Sequence, residues 1–177
     1  MATVLIAIDE SPFAENAFKW YVQNFHKPAN KVILLHVIEN LGIQDMSPAR
    51  YMELQREAKQ KAEDLKQKYT DLAKAKGVES VDIQIKTSDK PEHSIVDLAE
   101  KLKVTYIVSG SRGMGVIRRT ILGSTSDFIL HHAHCPVLIL NHWAPTTPVL
   151  PSVDHEYTIL WFLYTQCGHV FTISMNP

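Results

Sequence analysis

The sequence predicts an α/β protein built as a doubly wound, five-stranded parallel sheet with helices on both faces. Three observations carry that expectation. Short apolar runs alternate with longer segments of helical periodicity. The runs are apolar throughout rather than at every second residue, as strands covered on both faces require. The helical segments open on recognisable caps, two of them followed at once by proline. Parallel neighbours need crossover connections, and the order βαβαβαβαβ supplies one between each pair of strands.

Thr3 to Ile8 is the first apolar run, ended by Asp9. Ser11-Pro12 then starts a helix whose apolar positions Ala14, Ala17, Phe18, Tyr21, Val22 and Phe25 recur at helical spacing. Val32 to Ile38 is the second run. Ser47-Pro48 opens a long amphipathic helix with the stripe Tyr51, Leu54, Ala58, Ala62, Leu65, Tyr69 and Leu72, and Gly77 is its stop. Val81 to Lys86 reads as the third strand, and Asp89 with Glu92 as a capping box for a third helix through Leu102. Val104 to Val108 is the fourth run and leads into glycines. Ser124 and Asp127 match the Ser-x-x-Asp helix start, for a short helix ending near His131 or His132. Cys135-Pro136 then begins the fifth strand, where proline is tolerated at the first residue.

At 177 residues, with 45% hydrophobic and 21% charged, the chain has the size and composition of one globular domain. Lys and Arg number 18 against 19 Asp and Glu, so there is no basic field to hold nucleic acid. The long helix carries basic and acidic residues interleaved, which reads as a solvated face. Cys135 and Cys167 form no CxxC or zinc spacing. The first residues lack a basic leader and meet Asp9 and Glu10 after a short apolar run, a strand rather than a signal peptide, so the expected compartment is the cytoplasm.

His131 with His134 or Cys135 has the spacing of ligands on one helix face, but cations near a helix C-terminus are favoured by its dipole, and no metal site is assigned there. Residues 143–177 hold no Lys or Arg and are placed outside the domain of residues 1–142. The hydrophobic stretch 158–173 is shorter than the ~20 apolar residues of a membrane span and contains Gln166, Gly168 and His169.

Open α/β sheets bind ligands beyond the carboxyl ends of their strands. Two features fall there: Asp9, and a glycine loop that follows the fourth strand as Gly110-Ser-Arg112-Gly113-Met-Gly115 and ends at Gly123-Ser124. Glycines let backbone N–H groups approach phosphate oxygens, and a helix start at Ser124 adds further donors. Arg112, Arg118 and Arg119 can add charge-assisted contacts. No GxxxxGK[ST] occurs, and the Rossmann GxGxxG belongs after a first strand, so neither a P-loop NTPase nor a dehydrogenase fits. GxSxG, HExxH and SxxK are missing too, and with them the common hydrolase constellations.

Gly110, two residues, Gly113, nine residues, then Gly123-Ser124 resembles the nucleotide-binding pattern of the universal stress protein family. The similarity extends to Ala7-Ile8-Asp9-Glu10-Ser11, to Leu34-Leu-His-Val37-Ile38, and to Ile121-Leu-Gly-Ser-Thr-Ser with Cys135-Pro136-Val137, covering roughly residues 2–141. The resemblance implies an adenine nucleotide α-hydrolase-like (Rossmann-like) fold that binds ATP with Mg2+. Asp9 and Val37 would flank the ribose and base, while Gly110, Gly113, Gly123 and Ser124 would hold the phosphates, with Arg112 and Gly115 in the same loop. Thr125 stands where the family often has Val, and Asp89 where it usually has Gly. The implied function is a nucleotide-dependent stress-response module, with slow hydrolysis conceivable through Asp9, acting as a homodimer through the fifth strand. Two alternatives stand beside it. One is a stress protein that acts by protein–protein contact without nucleotide. The other is an adenylating enzyme of the same superfamily, whose HIGH and SGGxDS signatures this sequence lacks.

Overall fold

The computed structural model describes residues 1–40, 47–111 and 122–140, together with the backbone of 170–173. The chain runs β1 (Thr3–Ala7), α1 (Pro12–Asn24), β2 (Lys31–Glu39), α2 (Pro48–Ala75), β3 (Val81–Ser88), α3 (Pro91–Lys101), β4 (Tyr106–Gly110), α4 (Ser124–His132), β5 (Val137–Leu140) and β6 (Val170–Ile173). The sheet has the order β3-β2-β1-β4-β5-β6 and every pair is parallel. The five expected strands are therefore present. A sixth, from residues the sequence reading set apart, lies on the far side of β5.

Alternation along each strand sorts its side chains onto two cores. Val4, Ile6, Val32, Leu34, Val108 and Leu138 pack with Phe18 and Tyr21 of α1 and with Leu65 and Tyr69 of α2. Leu5, Ile33, Leu35, Ile107, Val137 and Ile139 pack with Ile95, Leu98 and Ala99 of α3 and with Ile129 of α4. Both faces are covered, which is why the strand sequences are apolar at successive positions. Only the second half of α2 buries its stripe, through Ala62, Leu65, Tyr69 and Ala73.

The caps explain most of the helix boundaries. Ser11 and Ser47 are extended, and their hydroxyls accept from the N–H of Ala14 and Arg50, with proline opening each helix. At the other ends, α2 and α3 close by one device. The Val78 N–H reaches the Ala73 carbonyl and the Gly77 N–H the Lys74 carbonyl; Val104 and Lys103 repeat this on Ala99 and Glu100. Val104 consequently terminates α3 rather than starting β4. Two expected caps do not form. Pro91 opens α3, so the cap falls on Lys90, and Asp89, one residue too early, accepts from the Asn40 amide instead. Ser124 is the first residue of α4, whose cap is Gly123.

Candidate functional site

The register of the sheet assembles the site. Ala7 lies opposite Leu35 of β2, and Ile6 opposite Val108 of β4. Continuing both ladders past their ends puts Asp9 in one row with Val37 on one side and Ser111 on the other. The Ile8 N–H still donates to the Leu35 carbonyl at 2.9 Å, and His36 Nδ1–H donates to the Ile8 carbonyl at 3.0 Å. These bonds hold the exit of β1 against β2. Val37 and Leu122 pack on the core beneath α3 and α4, so the row faces the start of α4.

Asp9 has a structural duty. Its Oδ1 accepts from both the Ser11 N–H, at 2.8 Å, and the Ser11 hydroxyl, at 2.5 Å. That orients Ser11 to cap α1. Both bonds fall on Oδ1, and Oδ2 takes none from the described residues.

Gly110 ends β4 where α1 crosses it. A side chain there would place its Cβ 2.8 Å from the Phe13 carbonyl carbon and 3.0 Å from the Ala14 nitrogen. Glycine at this position therefore answers helix packing. The strand end is then tied to α4 by polar bonds that sequence reasoning did not anticipate. The Ser126 hydroxyl donates to the Gly110 carbonyl at 2.7 Å, Ser109 Oγ donates to the same carbonyl at 3.1 Å, and the Gly123 N–H donates to the Ser111 carbonyl at 2.9 Å. Ser109, Ser111 and Ser126 are all buried. The only local hint was the density of serines beside the glycines.

The first intrahelical bond of α4 runs from the Asp127 N–H to the Gly123 carbonyl. The N–H groups of Ser124, Thr125 and Ser126 precede it and have no partner within the helix, and the positive end of the helix dipole adds to them. Gly123 has φ −65°, open to any residue. Arg112, Gly113 and Gly115, with Arg118 and Arg119, lie outside the described residues. The structure thus brings Asp9, Val37, Gly110, Gly123, Ser124 and Thr125 to one end of the sheet.

Asp89 sits at the carboxyl end of β3, one strand beyond this row, bonded to Asn40 at 2.8 Å. Asn40 Oδ1 in turn accepts from Gln55 Nε2 at 3.3 Å and lies 3.4 Å from the Tyr51 hydroxyl. On α4, His131 and His132 each donate Nδ1–H to the carbonyl four residues back. Burial pushes the Cys135 thiol up, away from the thiolate that a metal would require. Among the described residues, no helix is long and apolar enough to cross a membrane.

A family model described as "Universal stress protein family" matches residues 1–141. A universal stress protein A-like protein of Arabidopsis thaliana is 28% identical over 150 residues, spanning 79% of this chain and 85% of its own length. Among solved structures, a universal stress protein from Lactobacillus plantarum superposes with a TM-score of 0.69 at 22% identity, covering 78% of this chain and 97% of that one. A second, a universal stress protein family protein of Arabidopsis thaliana solved with AMP bound, superposes with a TM-score of 0.61 at 25% identity, covering 84% and 97%.

Proposed function

Because the chain belongs to the universal stress protein family, we propose that it binds ATP, with Mg2+, at the carboxyl edge of its sheet and acts as a nucleotide-dependent stress-response module carried by residues 1–142. The observation that carries this reading is the row Val37–Asp9–Ser111 running onto the N–H groups at the start of α4 that have no partner within the helix. Such a row has an apolar side chain for a base, a carboxylate oxygen for ribose hydroxyls, and backbone donors for phosphate. The AMP-bound Arabidopsis relative supports an adenine nucleotide as the ligand class.

In this reading Asp9 accepts the ribose, Val37 frames the base, and Ser124 and Thr125 offer backbone N–H groups to the phosphates. Gly110 lets β4 end close to α1, and Arg112, Gly113, Gly115 and Gly123 complete the loop. Slow hydrolysis with Asp9 orienting a water is the most chemistry this set of side chains supports. Residence in the cytoplasm and pairing of two copies through β5 complete the reading, the second only where the β5 edge is open.

Thermal unfolding against increasing MgATP, with MgGTP as control, tests it. A ligand at 100 times its Kd stabilises the native state by ~2.7 kcal/mol, a rise in Tm of roughly 5 to 10 °C for this size. We expect an ATP-selective rise of that order, abolished by Gly113→Val and reduced by Asp9→Ala. No rise at millimolar ATP would refute nucleotide binding and favour a member acting through protein contacts alone.

A further inference from the structure

We propose that the amino edge of the sheet, at the far end of the strands from the candidate site, is a docking face for an anionic lipid bilayer. Backbone bonds gather the entries of five strands there. The Lys31 N–H donates to the Ala2 carbonyl, the Val32 N–H to Ser80, the Thr105 N–H to Thr3 and the Ile107 N–H to Pro136. The Ala2 N–H reaches the Asn30 amide oxygen along the same edge. A helix that links the carboxyl end of one parallel strand to the amino end of the next must finish at this level. Accordingly α1, α2 and α3 end here, at Phe25, Lys76 and Leu102.

Lysines crowd this face. Lys27 and Lys31 follow α1, Lys74 and Lys76 close α2, and Lys101 and Lys103 close α3; all six are exposed, with Glu79 and Glu100 beside them. Among the described residues none of the six lysines forms an ion pair. A helix favours a cation in its last turn, which accounts for Lys74 and Lys101. Lys27, Lys31, Lys76 and Lys103 lie outside any last turn. The carboxyl edge, among the described residues, carries Asp9, Glu10, Glu39, Asp89 and Glu92 with Lys90. The even balance of charge over the chain therefore hides a polarity along the strands.

Two apolar side chains stand among the lysines: Phe25 is 44% exposed and Leu102 38%. Phe25 caps α1 and Leu102 caps α3, helices on opposite faces of the sheet. A peptide in a groove would meet one of them, whereas a plane meets both. A bilayer is such a plane; its cytoplasmic leaflet is anionic, and lysines near its surface add their attractions. Apolar side chains at the same level enter the headgroup boundary. The acidic edge does not oppose this. Nine residues of β2 at ~3.3 Å each set it ~30 Å away, several times the ~8 Å over which salt screens charge. Docked in this way, the crevice at the carboxyl edge stays open to solvent. Nothing in this argument depends on nucleotide.

Flotation of the full chain with vesicles of phosphatidylcholine, alone or mixed with phosphatidylserine, tests the proposal. Wild type should float with the mixed vesicles, not with phosphatidylcholine alone, and high salt should release it. Lys27→Glu and Lys103→Glu, from the two sides of the sheet, should each weaken binding at least ~5-fold, the worth of one lysine near the surface. Lys59→Glu makes the same change of charge on exposed α2, ~25 Å from that helix's end at ~1.5 Å per residue. It should bind as wild type. Leu102→Ser should weaken binding without changing its response to salt. Thermal unfolding reports whether each variant is folded; where one is not, Lys31→Glu or Lys101→Glu makes the same test on its side. A wild type that ignores the phosphatidylserine vesicles would overturn the proposal, as would an equal loss in Lys59→Glu. Soluble polyglutamate bound in place of the vesicles would also overturn it and assign the face to an acidic protein.

Discussion

A methyl group at Gly110 would meet the carbonyl carbon of Phe13 at 2.8 Å and its oxygen at 3.0 Å. Those atoms are backbone in the first turn of α1, so they cannot swing aside as a side chain would. Gly110→Ala must push α1 off β4 or bend the strand end. Overpacking of this kind costs ~1–3 kcal/mol, and urea unfolding should show a loss of that size in the ligand-free protein. An unchanged midpoint would mean that α1 has room to give. The glycine was legible in the sequence as part of a loop pattern, but its reason was not. Nothing local to Gly110 announces that Phe13, from an earlier helix, will lie against it. The serine bonds were hidden for the same cause: Ser126 and Gly110 are far apart in the chain, and a hydroxyl reaching a distant carbonyl leaves no periodicity.

At the scale of single elements, the helix ends offer a direct comparison. α2 closes through Gly77 at φ 71° and α3 through Lys103 at φ 49°, each followed by a buried valine. A residue with a Cβ is strained in this left-handed region, by roughly 1–2 kcal/mol. Glycine avoids that strain but loses more freedom on folding, ~0.5–1 kcal/mol. Lys103→Gly should therefore stabilise the protein by up to ~1 kcal/mol, seen as a small rise in Tm; a fall would place the value of Lys103 in its side chain. The stop at Gly77 could be read from sequence because glycine marks it, while the identical stop at Lys103 carries no mark, and Val104 was read into the next strand.

α1 and α2 are also joined through charge. Glu15 bonds Lys19 within α1 and Lys68 on α2, each at 2.6 Å. The Lys19 bond first, then that of Lys68, hold its carboxyl below the ordinary carboxylate value against the opposing effect of burial. A carboxyl lowered on folding contributes stability that is present above its unfolded value and fades as pH falls through the folded one. Wild type should exceed Glu15→Gln by ~0.5–1 kcal/mol at neutral pH, with the gap closing below about pH 4 and narrowing with salt. A gap that persists at pH 2 would assign the effect to packing.

Across the whole molecule, the strand made first occupies the centre. β1 pairs with β2 on one side and β4 on the other, and the Thr3 N–H finds the Thr105 hydroxyl across 102 positions of sequence. The doubly wound order was readable because buried parallel strands and amphipathic helices have different periods. β6 was not, since four residues beyond a proline-containing stretch have no period to show.

Its position has a consequence in time. Synthesis proceeds at about 5–20 residues per second, and β5 is finished some thirty residues before β6 exists. β6 is thus added to the flank of a sheet whose other five strands already have their neighbours, and its loss or delay changes the surroundings of β5 alone.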